Sequence, residues 1–460
     1  MASSVHRKQL SRASLPRRTT KGPLDQEQDP LSATHSPISP SSTKASSTIS
    51  PLGRSQDVNP FEERTYTQAS LLGEEPDEQL DSASDKNLSF LLDAAIYHPL
   101  SAVDVPGPFR KPFPGPPPQG TTTNQALKHV ESLIVKCDFL GAAHLAAVCL
   151  TSGLVKPTDH VSIFRFLAIR YSCLEIVGQL LLAAQEAKAL EDLSSEFYYI
   201  APEITAAEIE AHHGQRPLAE HIMPFSLRVQ AIRLQNIGFS DPRRGVTMLY
   251  DLGLEVREHL TSPYTTQTEH MEWSQRLESL GLHVVNALIE LGDVDCAQRT
   301  LAQSKPTEPK AQARWVSRMT LMLLKLGQIK KAQECVDQLQ SRESGKAVLS
   351  GLLAVADGRL EEATESLGGL ANRDDDSDVS ALAKQNLAVA LLYLGRIAEA
   401  KSLLEGLIEE GHSFPSLTIN LTTIFDLTSD RSRDQKVALI GKLAVSQTQQ
   451  RAFTNADFKL

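Results

Sequence analysis

Aromatic residues make up only 5% of this 460-residue chain, and 46 Lys and Arg are outnumbered by 56 Asp and Glu. A net charge of -10 supplies no overall positive field, and so few rings leave little for bases to stack on. Both facts disfavour a nucleic-acid ligand. The five cysteines, Cys137, Cys149, Cys173, Cys296 and Cys335, make no Cys-x-x-Cys pair and no evenly spaced framework. They sit within apolar helical patterns and read as reduced core cysteines, neither zinc ligands nor disulfides. No apolar run approaches the ~20 residues that a bilayer-spanning helix needs. The best candidate, Leu140 to Leu150, is short and contains His144. These absences point to a soluble, cytoplasmic chain whose membrane contact, if it has one, is peripheral.

Signatures of chemistry are also missing. A nucleotide-binding loop needs Gly-x-x-x-x-Gly-Lys followed by Ser or Thr, because the lysine neutralises phosphate and the hydroxyl holds magnesium. The nearest match, Gly406 to Ser413, has His412 in place of the lysine and follows a helical pattern, so it reads as a helix end. Gly-x-Gly-x-x-Gly, Gly-x-Ser-x-Gly and His-Glu-x-x-His are all absent. His212, His213 and His221, with Glu208, Glu210 and Glu220 nearby, form the one dense histidine cluster. Their spacing is too loose for a defined ligand set, and they read as exposed loop residues. The sequence offers no catalytic, cofactor or metal site and no pocket motif for a small-molecule substrate; it does not read as an enzyme.

What the chain does carry is repetition. A ten-residue pattern, Gly, any residue, a branched apolar residue, two more, Ala, three more, then Leu or Val, occurs four times. The copies run from Gly292 through Ala297 to Leu301, Gly327 through Ala332 to Val336, Gly358 through Ala363 to Leu367, and Gly395 through Ala400 to Leu404. Steps of 35, 31 and 37 residues average about 34, the period of the tetratricopeptide repeat. Each glycine follows an apolar helical run and offers the left-handed geometry that ends a helix. The alanine lies where two helices approach most closely, and the apolar residue four positions on shares its face. The expected fold is all-α, a tetratricopeptide-type superhelix of helical hairpins.

The rest of the chain divides by composition. Residues 1–85 are rich in Ser, Thr, Pro and charge, too poor in apolar surface to offset the entropy of ordering, and read as a disordered tail. Its first 21 residues hold Arg7, Lys8, Arg12, Arg17, Arg18 and Lys21 without an acid. Pro16 and sparse apolar residues make a poor amphipathic helix, so a solvated basic arm is favoured over a membrane contact or transit peptide. Ser36-Pro37, Ser39-Pro40 and Ser50-Pro51 are candidate phosphorylation sites. Residues 86–122 hold a short apolar segment, Leu88 to His98, and a proline-rich strap that is either a ligand for a proline-reading domain or, more simply, the boundary of the folded region. Residues 123–277 contain amphipathic helices, Phe139 to Leu150, Phe164 to Leu182 and Val246 to Val256, without a readable common register. Four clear repeats fill 278–412, with a solvated acidic insertion at Arg373 to Asp378. Residues 413–460 supply a capping helix, Pro415 to Leu427, and a C-terminal segment.

Repeat proteins of this kind hold partners on the concave face, lined by the first helix of each hairpin. The facing positions are Leu282 and Asn286, Ser317 and Leu321, Val348 and Leu352, and Gln385 and Val389. A co-chaperone or adaptor that grips peptide C-termini needs Lys or Arg there. Leu282 stands where that clamp would have lysine, and Asn286 alone resembles a clamp position. The groove is otherwise mostly apolar, which suits a partner helix or neighbouring subunit.

Two segments outside the repeats are more specific. Met223-Pro224-Phe225-Ser226-Leu227-Arg228 leads into a helix, and Asn420-Leu421-Thr422-Thr423-Ile424-Phe425-Asp426-Leu427 precedes Arg431-Ser432 and the terminal Phe458-Lys459-Leu460. With Ala388 to Arg396, they resemble the subunit 12 family of the trafficking protein particle (TRAPP) complex over residues 124–460. The resemblance implies a non-catalytic scaffold subunit without cofactor, in a tether that acts as exchange factor for a Rab1-type GTPase. It implies work in ER-Golgi vesicle transport and autophagy, at Golgi or intermediate membranes. The implied partners are the large accessory subunits eleven, thirteen and eight and, through them, the small-subunit core. Asn420 and Phe425 are then candidate docking residues. The N-terminal tail is shorter than in animal relatives and shows no match to them.

Overall fold

The computed structural model describes residues 86–202, 204, 215–306, 309–339, 344–371, 377–445 and 452–460. The basic arm, the Ser-Pro dipeptides, Glu208, Glu210, His212, His213 and the acidic residues 374–376 lie outside them. Among the described residues the chain is all-α, with sixteen α-helices, six short 3-10 helices and a single pair of two-residue strands.

The first helices are α1 (Thr123–Val135), α2 (Phe139–Thr151), α3 (His160–Ile176) and α4 (Leu180–Glu186). Strands β1 (Tyr199–Ile200) and β2 (Glu220–His221) then pair antiparallel, with Tyr199 opposite His221. There follow α5 (Phe225–Phe239), α6 (Pro242–Thr261), α7 (Gln267–Leu291) and α8 (Val294–Gln303). The next four are α9 (Pro309–Lys325), α10 (Ile329–Asp337), α11 (Ser344–Ala356) and α12 (Leu360–Ala371). The last are α13 (Ser377–Tyr393), α14 (Ile397–Glu409), α15 (Pro415–Thr428) and α16 (Ser432–Val445). Each helix packs on its neighbours in sequence, the contact pattern of an α-solenoid.

One backbone device makes the corners. Gly292 takes φ +86°, its N–H donates to Ile289 O at 3.0 Å, and the Asp293 N–H donates to Leu288 O at 2.9 Å. This pair of bonds satisfies carbonyls that the helix end leaves orphaned. It recurs at Gly327, Gly358 and Gly395, and also at Cys137, Gly178 and Ser240, upstream of the repeats that the glycine pattern marks. After those three corners the small residue of the pattern is Ala142, Ala183 or Gly245, and the residue four further on is Ala146, Ala187 or Leu249, all buried. The first half therefore does share a register. It was hidden because two of its corners place Cys137 and Ser240, both at φ 54°, where glycine is expected. Asp138, Asp241 and Asp293 follow their corners and accept the N–H of Gly141, Arg244 and Cys296, at 3.0, 3.2 and 3.1 Å. Such caps contribute about 1 kcal/mol each.

Three further details differ from the sequence reading. Phe164 to Leu182 is broken at Gly178 into α3 and α4, because Gly178 adopts the corner geometry at φ +74°. The capping element is a helix pair, α15 with α16, since Ser432 opens a second helix after a short turn. The strap is packed structure: Phe109 joins the C-terminal core, while Ala452, from the far end of the chain, packs on the N-terminal one.

Candidate docking site

The structure places the candidate partner residues unequally. Leu282 on α7, Gln385 on α13 and Phe425 on α15 are buried. Asn286, Leu321, Leu352, Val389 and Asn420 are half-buried. Phe425 belongs to the C-terminal core with Leu404, Leu421 and Leu443, and the Lys401 ammonium lies 5.2 Å from its ring centre. As the chain stands, Phe425 holds α14 and α15 together and offers little to a partner. Leu352 packs beside Val348, Leu370 and Ala383. The repeat residues Ala297, Ala332, Ala363 and Ala400 are fully buried, as their role at the helix crossing requires.

Asn286 lines a cleft between α5 and α7, together with Arg233, Asn236, His283 and Glu290. Arg233 Nη1 lies 3.3 Å from Glu175 Oε2, and its Nε 3.9 Å from Glu290 Oε1. Gln230 Nε2 donates to Glu175 Oε1 at 3.1 Å. Gln230 and Asn236 are themselves buried, and Val229, Ile232, Leu249 and Ala287 also line the cleft, so it is of mixed polarity. The candidate residues on α9, α11 and α13, Leu321, Leu352 and Val389, are apolar and half-buried.

The two segments outside the repeats act as joints. Pro224 ends the extended chain and Phe225 begins α5. Arg228 Nη1 and Nη2 fork the Glu255 carboxylate at 2.6 and 2.7 Å, and the Tyr199 hydroxyl donates to Glu255 Oε2 at 2.9 Å. Burial acts to raise the Glu255 carboxyl, but the Arg228 and Tyr199 hydrogen bonds outweigh it and hold it below the usual range. Arg228 thereby ties α5, α6 and the strand pair together. His221, read as an exposed loop residue, is half-buried: its ring stacks on Tyr198 at 5.4 Å, accepts the Met223 N–H at Nδ1 and lies 3.0 Å from Leu193 O through Nε2. Burial, then the nearby Arg228 charge, pull it down to about 4. Among the described residues no group of three His, Cys, Asp or Glu is placed to hold a metal.

In the second segment Leu421, Thr422 and Ile424 are buried on α15. Lys436 Nζ donates to Asp426 Oδ2 at 2.9 Å and to Lys459 O at 3.2 Å, and Lys459 Nζ donates to Thr423 Oγ1 at 2.5 Å. The terminal Phe458-Lys459-Leu460 is thus fastened to the last hairpin, with Phe458 fully buried. Sequence reasoning missed a second buried joint, Arg170 with Glu186, for which only a charged residue inside each apolar helical run gave a sign.

Burial raises the thiols of Cys173 and Cys149, the latter up to about 11, as expected for inert core cysteines. Among the described residues no helix is long and apolar enough to cross a membrane.

The architecture defines the class: a solenoid of helical hairpins, with half-buried candidate residues and a C-terminal segment fastened to the last hairpin by polar joints. By sequence the chain is similar to trafficking protein particle complex subunit 12 of Mus musculus, 24% identical over 250 residues that make up 48% of this chain and 31% of that protein. It is also similar to the subunit of the same name of Homo sapiens, 27% identical over 184 residues, 37% of this chain and 25% of that one. The chain therefore matches less than a third of the length of either relative. No family model matches it. No solved structure matches it either.

Proposed function

We propose that this chain is a non-catalytic scaffold subunit of a TRAPP-type tethering complex, the accessory part of an exchange factor for a Rab1-type GTPase. The carrying observation is the similarity to subunit 12 in mouse and human, on a fold built of stacked hairpins. Solenoids present long continuous surfaces and suit the assembly of several proteins along one rod. In this reading the inner face from Asn286 through Leu321, Leu352, Gln385 and Val389, and the end around Asn420, dock the large accessory subunits. The small-subunit core carries out nucleotide exchange. The chain then works in ER-Golgi transport and autophagy, on Golgi or intermediate membranes, held there by its partners and by peripheral contact.

Affinity purification of the full chain from its own cells tests this. Other TRAPP subunits should be recovered in near-stoichiometric amounts, and recovery of none would remove the reading. The adaptor alternative, a clamp for peptide C-termini, gains no support from the inner face: Leu282 is buried where that clamp would place lysine.

A further inference from the structure

In a linear solenoid each repeat touches only its neighbours, so the two ends fray independently and stability is a sum of local terms. This chain departs from that rule at the strap. The strap is fixed to the first hairpins: the His98 N–H donates to Glu186 Oε1 at 2.9 Å, and His98 O accepts from Arg170 Nη2 at 3.1 Å. Lys111 Nζ donates to Lys136 O at 3.1 Å, and Phe113 packs on the His144 ring at 4.8 Å. The same strap is fixed to the end of the chain. Phe109 stacks on Phe453 at 4.6 Å, the Asn455 N–H donates to Asp104 O at 2.7 Å, and Asn455 Nδ2 donates to Val103 O at 3.1 Å. Phe453 in turn packs on the fully buried Phe458 at 5.7 Å.

We infer that the strap and the C-terminal segment form a clasp joining the first hairpins to the last, so that the two ends of the solenoid open together. The inference is independent of the TRAPP reading. A clasp of this kind gives a one-dimensional array long-range cooperativity: strain or binding at α1 to α4 is felt at α15 and α16 without passing through every intervening hairpin. The joint suits reversible opening. The stacked Phe109–Phe453 pair and two hydrogen bonds from Asn455 lie at the junction of the strap with the C-terminal segment, whereas the buried Arg170–Glu186 pair anchors the strap's other end.

The test is native-state hydrogen exchange of the full chain, read at α15 and α16 while the opposite end is weakened. Ile163→Ala, in the buried core of α3, should speed exchange in α15 and α16 by about tenfold or more in the intact chain. In a Phe109→Ala background the same substitution should leave their exchange within about twofold. Asn455→Ala removes only the rim hydrogen bond to Val103, so it tests the clasp with little risk to folding, and it should reduce the coupling in the same direction. Exchange in α15 and α16 that ignores Ile163→Ala in the intact chain overturns the inference. Coupling of equal size with and without Phe109 and Asn455 overturns it as well.

Discussion

Arg170 and Glu186 form a two-pronged ion pair inside the N-terminal hairpins, Nε to Oε2 and Nη2 to Oε1 both at 2.6 Å, with both side chains almost wholly removed from water. Arg170 Nη1 also donates to Ala143 O at 2.8 Å. Its guanidinium lies over the Tyr97 ring at 5.3 Å, and the Tyr97 hydroxyl donates to Leu91 O at 2.6 Å. One pair therefore links α2, α3, α4 and the strap.

Removing one partner leaves an uncompensated buried charge. Glu186→Ala should lower stability to chemical denaturation by about 3 to 5 kcal/mol, and Arg170→Met by a similar amount. The double variant Arg170→Met with Glu186→Leu should cost clearly less than the sum, because it leaves no orphaned charge. Simple additivity in urea titrations would show that the two charges do not act as a pair.

Glycines on helices separate close approach from slack. A Cβ on Gly238 of α5 would lie 2.3 Å from the backbone oxygen of Ala184, which cannot move without shifting α4. Gly238→Ala should destabilise by about 1 to 3 kcal/mol, the usual cost of overpacking. Gly406 on α14 faces open space, so Gly406→Ala should stabilise by about 0.5 to 1 kcal/mol through helix propensity alone. Thermal or urea unfolding of the two variants checks the opposite signs.

Corner residues explain how much of the fold could be read in the chain. Where glycine fills the left-handed position, at Gly292, Gly327, Gly358 and Gly395, the pattern was legible because one residue type meets one geometric demand. At Cys137 and Ser240 the same geometry is held by residues that rarely adopt it, and the register vanished from view even though Asp138 and Asp241 kept their capping role. The docking residues were less legible. A helical period puts Leu282 and Gln385 at facing positions, and the resemblance alone marks Phe425, but burial at all three depends on how neighbouring hairpins and the C-terminal segment pack. Those contacts join residues far apart in sequence, so no local pattern announces them, and the clasp of Phe109 on Phe453 was invisible for the same reason.

The two unusual corners give a prediction with a sign opposite to most mutations. Ser240→Gly relieves a left-handed backbone without removing a buried side chain, so it should stabilise by up to about 1 kcal/mol. Gly395→Ala, at φ +75°, should cost about 1 kcal/mol for the same reason. Shifts in urea midpoint at constant slope are the measurement. A destabilising Ser240→Gly would mean that the serine contributes something beyond its backbone.

Acid should loosen the joint around His221. Its folded pKa of about 4 lies below the ordinary 6.5, so the unfolded chain takes up a proton at a pH where the folded ring cannot. The stability that neutral His221 contributes is present above pH 6.5 and is lost as pH falls towards 4. Glu255, held low by Arg228 and Tyr199, adds to the loss in the same direction once pH falls into the carboxylate range. Allowing for the partial exposure of the ring, the His221 contribution is on the order of 2 kcal/mol. His221→Gln, which cannot titrate, should flatten the stability profile between pH 6.5 and 4 while lowering stability at pH 7. An unchanged slope in that window would place the acid sensitivity elsewhere, because no other change is made at the joint where Tyr198, Leu193 and Met223 meet the ring.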